Sequence, residues 1–177
     1  TENTMKLKQI IDESFGDYKE AAMLLVTPNC TWKCEGCQNR HLSQLPTKNF
    51  PDEEILKRFF KNPLTSAIVI GGLEPLDDMQ DVRHFISALG QKVYSEDLPK
   101  PTIIVYTGYE LDEIEDQLYW SGLEPEMRTY GECILKYGRF NPIYQTKGDG
   151  FERVDIWNED LGINLASPNQ GTINYRS

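Results

Sequence analysis

A chain of 177 residues and 20.4 kDa, 39% hydrophobic and 26% charged, has the size and apolar content of one globular domain and too much core for wholesale disorder. Its 18 basic and 28 acidic side chains give a net charge of −10, which argues against a nucleic-acid binder, since phosphate contacts need a basic footprint. No apolar run nears the length of a membrane span, Thr1 to Asp12 does not read as a signal peptide, and four cysteines are few for a disulfide scaffold. The expectation is a soluble protein of the reducing cytoplasm that engages neither membrane nor nucleic acid.

The elements follow in chain order. Residues 21–26, AAMLLV, form an apolar run that ends at Thr27-Pro28-Asn29 and reads as a buried strand. A cysteine-bearing loop follows, from Cys30 to about Asn49. Pro51-Asp52-Glu53-Glu54 opens a helix with Pro in its first turn and acids at its positive end. Its apolar face is Ile55, Leu56, Phe59 and Phe60. AIVI, residues 67–70, is a second buried strand, stopped by Gly71-Gly72. Met79 to about Tyr94 is a second helix, with Val82, Phe85, Ile86, Leu89 and Val93 at helical spacing. Thr102 to Tyr106 is a third strand, Leu111 to about Trp120 a third helix, and Glu132 to Lys136 a fourth strand.

Strands alternating with helices predict a parallel sheet with crossover helices. Four units are too few for a closed eight-stranded barrel, so the expected fold is α/β, an open or partial β/α barrel. The chain reads as a single domain, residues 1–177, with a core over about 21–137 and an irregular tail over about 138–177, including a strand near Thr172 to Tyr175. In such sheets ligands bind beyond the carboxyl ends of the strands. The cysteine loop, Gly71-Gly72 and Thr107-Gly108 all follow strand ends.

Cys30, Cys34 and Cys37 form C-x3-C-x2-C. Three thiolates in one loop suit a 4Fe–4S cubane, leaving one iron with open positions for a ligand. Two alternatives stand beside it: a closed zinc site completed by His41 as C-x3-C-x2-C-x3-H, and three cysteines without metal. The loop is polar (Thr31, Lys33, Glu35), which is not core-like.

This cysteine motif resembles the signature of radical S-adenosylmethionine (SAM) enzymes. Gly71-Gly72-Leu73-Glu74-Pro75 is similar to the GGEP motif of that superfamily, with Leu73 interposed. The chain resembles more closely the activating proteins of anaerobic ribonucleoside-triphosphate reductase, through CTWKCEGCQN (30–39), IGGLEPL (70–76), VYTGYEL (105–111), LKYGRF (135–140) and LASPNQ (165–170). The resemblance implies a cluster on Cys30, Cys34 and Cys37, with its fourth iron chelated by the amino and carboxylate groups of SAM. It implies reductive cleavage of SAM, and a 5′-deoxyadenosyl radical that takes a hydrogen atom from a backbone glycine of the reductase. It further implies a small electron donor such as flavodoxin or ferredoxin. Another glycyl-radical enzyme, or a small molecule, is the alternative substrate.

Within that frame Gly71 and Gly72 let backbone approach SAM, and Glu74 either holds its ammonium or structures the turn. Thr107 meets the cofactor or holds its own turn, and Asn39 orients the loop or touches cofactor. The run Lys136-Tyr137-Gly138-Arg139 lacks the acid that such activators often place near the ribose, and Lys136 either binds the SAM carboxylate or is solvated. Cys133 is expected as a small core residue and His84 as a surface or packing residue. Glu110, Asp112, Glu113, Glu115 and Asp116 are expected as a solvated face. Trp32 and Lys33 either shield the cluster or meet a partner.

Overall fold

Four short apolar runs pair side by side in chain order, and this decides the architecture. A computed structural model describes residues 3–28 and 44–176; Cys30, Trp32, Lys33, Cys34, Cys37, Asn39 and His41 lie outside them. Strands β1 (Thr4–Leu7) and β2 (Gln9–Ser14) precede the expected rhythm, which β3 (Ala22–Thr27) opens and β4 (Lys48–Pro51) interrupts. There follow α1 (Asp52–Lys61), β5 (Ala67–Gly72), a 3₁₀ turn (Pro75–Asp78), α2 (Met79–Glu96), β6 (Thr102–Tyr106), α3 (Leu111–Trp120), α4 (Leu123–Tyr130) and β7 (Cys133–Tyr137). The tail holds β8 (Tyr144–Lys147), β9 (Gly150–Arg153), β10 (Ile156–Asn158), β11 (Ile163–Leu165) and β12 (Gly171–Asn174).

The fold is mixed α/β around an open six-stranded sheet of order β12-β7-β6-β5-β3-β2. Its four central strands, β3, β5, β6 and β7, are parallel, and the edges β2 and β12 run antiparallel to their neighbours. Successive parallel strands step in one direction across the sheet. Right-handed crossovers repeated in one direction put every helix on the same face. Accordingly, the larger core joins Ile68, Ile70, Ile103, Val105 and Leu135 to side chains from all four helices, such as Ile55, Phe85, Ile114 and Met127. Each of those five strand residues is fully buried, worth roughly 1.5–3 kcal/mol apiece. The opposite face carries no helix residue: Ala22, Ala67, Val69, Ile104 and Ile134 pack against Tyr18, Leu161 and Leu165.

Several elements depart from expectation. The tail is not irregular, since β8–β9 and β10–β11 are antiparallel hairpins whose strands are too short and polar to show a hydrophobic period. The residues between β10 and β11 deliver Leu161, which together with Leu165 closes the second face. α4 adds a helix to the expected elements, with Pro125 near its start. It sits in the first turn, where its missing N–H has no intrahelical partner to lose. β1 pairs with β4, and β2 is an edge strand with mostly polar residues, so neither presents a continuous apolar run. The fourth core strand starts at Cys133, one residue later than expected. Among the described residues, no helix is long and apolar enough to cross a membrane.

Candidate cofactor and metal site

The carboxyl ends of β3, β5, β6 and β7 lie together at one end of the sheet, because the strands are parallel and closely registered. Thr27 ends β3 opposite Gly72, so the chain leaves toward the cysteine segment from beside the Gly71-Gly72 step. Thr27 Oγ1 donates to the Gly71 carbonyl at 2.7 Å, fixing the two ends against each other.

Gly72 has φ +86°, and a Cβ there would lie 2.5 Å from Val26 Cγ1 and 2.9 Å from Val26 Cα. Its lack of a side chain serves close strand packing as well as the turn. Gly71 is different: a Cβ there would meet Tyr106 Cβ at 3.4 Å, an ordinary contact.

Glu74 is 1% exposed. Its Oε2 accepts from Leu76 N–H at 3.1 Å and Thr107 Oγ1 at 2.8 Å, and its Oε1 accepts from Gly108 N–H at 2.8 Å. The carboxylate thereby ties the turn after β5 to the turn after β6. Burial pushes its pKa above the usual carboxylate range, against the pull of those three hydrogen bonds. Thr107 also accepts from Tyr109 N–H at 3.1 Å, and its own N–H donates to the Lys136 carbonyl at 2.8 Å. Both hydrogen-bonding roles of the Thr107 hydroxyl are therefore taken up in holding its turn.

Three motif stretches meet in a second network on the same end. Gly138 N–H donates to the Tyr109 carbonyl at 2.9 Å. Asn169 Nδ2 donates to Glu110 Oε1 at 2.8 Å and to the Arg139 carbonyl at 3.0 Å, and Gln170 Nε2 donates to the Gly138 carbonyl at 3.3 Å. Gly138 has φ +104°, and a Cβ there would come within 3.0 Å of the Asn169 carbonyl oxygen. Glu110 is therefore half-buried, while Glu113 stays exposed as expected. They cap α3 reciprocally, and Glu113 also binds the Arg139 guanidinium at 2.8 Å. Asp112, Glu115 and Asp116 are exposed as expected.

Lys136 is half-buried on the face away from the helices, its ammonium 4.9 Å from the centroid of the Tyr106 ring. Burial lowers its pKa to about 8, while Asp17 and Glu74 pull upward from a distance. Tyr106 is pinned in turn, its hydroxyl donating to the Asp17 carbonyl.

The structure thus brings Gly71, Gly72, Glu74, Thr107 and Lys136 to one end of the sheet, while Cys30, Cys34, Cys37 and Asn39 lie outside the described residues. Sequence reading gave no role to Tyr106, Asp17 or Asn169, and placed Glu110 on a solvated face rather than at this junction. Period-two alternation in β6 and β7 was the available signal for Tyr106, since it places Ile104, Tyr106 and Lys136 on one face. Cys133 is fully buried, with its thiol pushed up by burial, as a core cysteine should be. His84 packs, its Nδ1 lying 2.6 Å from Asp52 Oδ2 at the start of α1. Among the described residues no His, Cys, Asp and Glu cluster is arranged to hold a metal ion.

In sequence, three cysteines at C-x3-C-x2-C spacing offer the donor set of an iron–sulfur protein. Residues 21–135 match a family described as a 4Fe-4S single cluster domain, and the chain belongs to that family. The match runs from the start of β3 into β7, over all four parallel strands. No curated protein and no solved structure matches the chain.

Proposed function

We propose that this protein is a radical SAM activase that installs a glycyl radical on anaerobic ribonucleoside-triphosphate reductase. The observation that carries this reading is Cys30-x3-Cys34-x2-Cys37, inside a 4Fe-4S family match, on a segment entered from the sheet end where the GGLEP and TGY turns are tied together by Glu74.

Cys30, Cys34 and Cys37 would hold the cluster. When bound, a 4Fe–4S cluster with one open iron supplies the electron and the coordination site for reductive cleavage of SAM. The chain's own residues do the placing. Thr27 and Gly72 fix the point from which the cysteine segment departs. Glu74 and Thr107 hold the β5 and β6 turns in register, so that backbone groups around Gly71 and Gly108 keep fixed positions. Glu74 acts here as a positioning residue, its carboxylate already taken by three donors. Asn39, two residues past the last cysteine, would orient the cysteine segment. A folded protein presenting a glycine loop is the favoured substrate, since a sheet with helices on one face covers little of its own ligand end. A small one-electron donor such as flavodoxin or ferredoxin would reduce the cluster.

Anaerobic reconstitution, followed by electron paramagnetic resonance with and without SAM, tests this. The expected results are a reduced-cluster signal that changes on adding SAM, and a glycyl radical in the reductase after incubation with SAM and reductant. Colourless protein with stoichiometric zinc, lost in His41→Ala, would overturn the cluster. Turnover of a metabolite with no glycyl radical would overturn the substrate.

A further inference from the structure

Both ends of the β8–β9 hairpin are rooted at the ligand end of the sheet. Ahead of it, β7 stops at Tyr137, and Asn141 N–H donates to Ser167 Oγ at 2.8 Å. Behind it, Ile156 pairs with Leu165, two residues before Ser167, and β12 then begins at Gly171 opposite Tyr137. The hairpin therefore shares a rim with the turns of Glu74 and Thr107, and its base adjoins the segment that Asn169 ties to Glu110. Its strands are exposed along almost their whole length.

The register gives the hairpin two unlike faces. Tyr144 lies opposite Arg153 and Thr146 opposite Phe151, so these four side chains share one face. Gln145 lies opposite Glu152 on the other, with Lys147 beside them. That second face satisfies itself: Gln145 Nε2 donates to Glu152 Oε1 at 2.8 Å, and Lys147 pairs with Glu152 at 3.0 Å. The first face does not. Phe151 is 78% exposed and Tyr144 58%, and neither belongs to a core cluster of the described residues. Trp157, just beyond the hairpin, is 57% exposed. A lone two-stranded hairpin is marginal in water and gains stability by packing its apolar face on something.

We infer that the Tyr144–Phe151 face is the docking surface for the folded protein substrate, meeting an apolar patch beside its glycine loop. The inference rests on the activase reading and gives that substrate a second point of contact. The face is too small for a stable pair of copies of this chain: the exposed parts of Tyr144, Phe151 and Trp157 come to roughly 300–500 Å², about half of the ~800 Å² that each partner of a standard interface buries. A surface of that size suits a partner held elsewhere as well, and a protein whose glycine loop enters the ligand end is held there. Charge favours protein over a phosphate-bearing membrane or nucleic acid. Lys147 and Arg153 pair with Glu152 and Asp155, and Asp149 is exposed at the tip, so the hairpin offers no basic excess. Aromatic side chains with an arginine are the types enriched at the buried centres of protein interfaces.

The test is activation of anaerobic ribonucleoside-triphosphate reductase by the reconstituted protein, with the glycyl radical read by electron paramagnetic resonance as reductase concentration varies. Tyr144→Ser combined with Phe151→Ser should raise the KM for the reductase by roughly 10- to 100-fold, the range of one or two interface anchors, with kcat within about twofold. Cleavage of SAM by the chemically reduced protein without reductase should stay within about twofold, and Gln145→Ala, on the opposite face, should leave activation within about twofold. Should the double variant lose its native circular dichroism, Phe151→Ser alone takes its place. An unchanged KM, an equal loss in Gln145→Ala, or loss of SAM cleavage in the absence of reductase would overturn the docking face. A wild-type dimer in sedimentation that the double variant dissolves would assign the face to a second copy and overturn the substrate as its occupant. Wild-type protein that cleaves SAM yet forms no glycyl radical would remove the substrate reading itself, and is distinguishable from those outcomes.

Discussion

Lys136→Met should stabilise the protein in the absence of ligand, and the gain should vanish with rising pH. The lysine pKa falls from 10.5 to about 8 on folding. At 1.36 kcal/mol per unit, this is a penalty of at most about 3.4 kcal/mol on the charged form, reduced by the water that reaches a half-buried side chain. Methionine fills similar volume without the charge, but gives up a cation–π contact worth about 0.5–2 kcal/mol. The net gain at pH 7 is therefore about 1 kcal/mol, or roughly 2–4 °C in Tm for a chain of this size. A folded pKa below the unfolded one means that the unfolded chain binds the extra proton between about pH 8 and 10.5. Wild-type stability therefore rises with pH across that window relative to the variant. The penalty is complete below pH 8 and absent above 10.5. Urea denaturation of both proteins at pH 7, 8, 9 and 10 reads the difference directly, with other lysines and tyrosines cancelling in the comparison. A variant that is less stable at pH 7, or a difference independent of pH, would refute the claim that this ammonium lacks a partner.

Gly72→Ala should cost about 2–4 kcal/mol, from the left-handed backbone and the 2.5 Å approach to Val26, whereas Gly71→Ala should lie within about 1 kcal/mol of wild type; thermal denaturation of the pair checks both. Glu74→Ala strands the Thr107 hydroxyl and the Leu76 and Gly108 N–H groups. It should cost about 3 kcal/mol by urea denaturation, and Glu74→Gln, which keeps an acceptor, about half of that. Cys34→Ala should abolish the visible absorption of the reconstituted protein and SAM cleavage, while far-UV circular dichroism stays native; retained SAM cleavage would end the cluster assignment.

The sheet was legible because its central strands are buried on both faces. AAMLLV, AIVI and TIIVY are continuous apolar runs between turn residues, so their existence and their parallel pairing followed from pattern alone. Strands that bury one face or sit at an edge were not legible. β2 carries Ile10 inward but ends in Asp-Glu-Ser, and the hairpins of the tail are three or four residues long. Site residues divided in the same way. Glycines after strands and cysteines at close spacing announce themselves in one dimension. Asp17, Tyr106 and Asn169 acquire their roles only from neighbours far away in sequence, as when Tyr106 reaches the Asp17 carbonyl 89 residues away.

The pleat also explains why the acid of the GGLEP turn and the lysine of β7 have different duties. Thr27, Thr107 and the strand residues that alternate with them point toward the helices, where burial demands that every polar group find a partner within the protein. Glu74, fully buried, meets that demand for three donors at once. Val26, Gly71, Tyr106 and Lys136 point to the other face, which has no helix and which Tyr18, Leu161 and Leu165 cover, with Tyr106 packed at the edge of that cluster. Polar groups there need not be satisfied by the chain itself. Substitutions at Glu74 and Thr107 should therefore register first as lost integrity of the strand ends, whereas substitutions at Lys136 and Tyr106 act on a face where the chain leaves an ammonium against a ring alone.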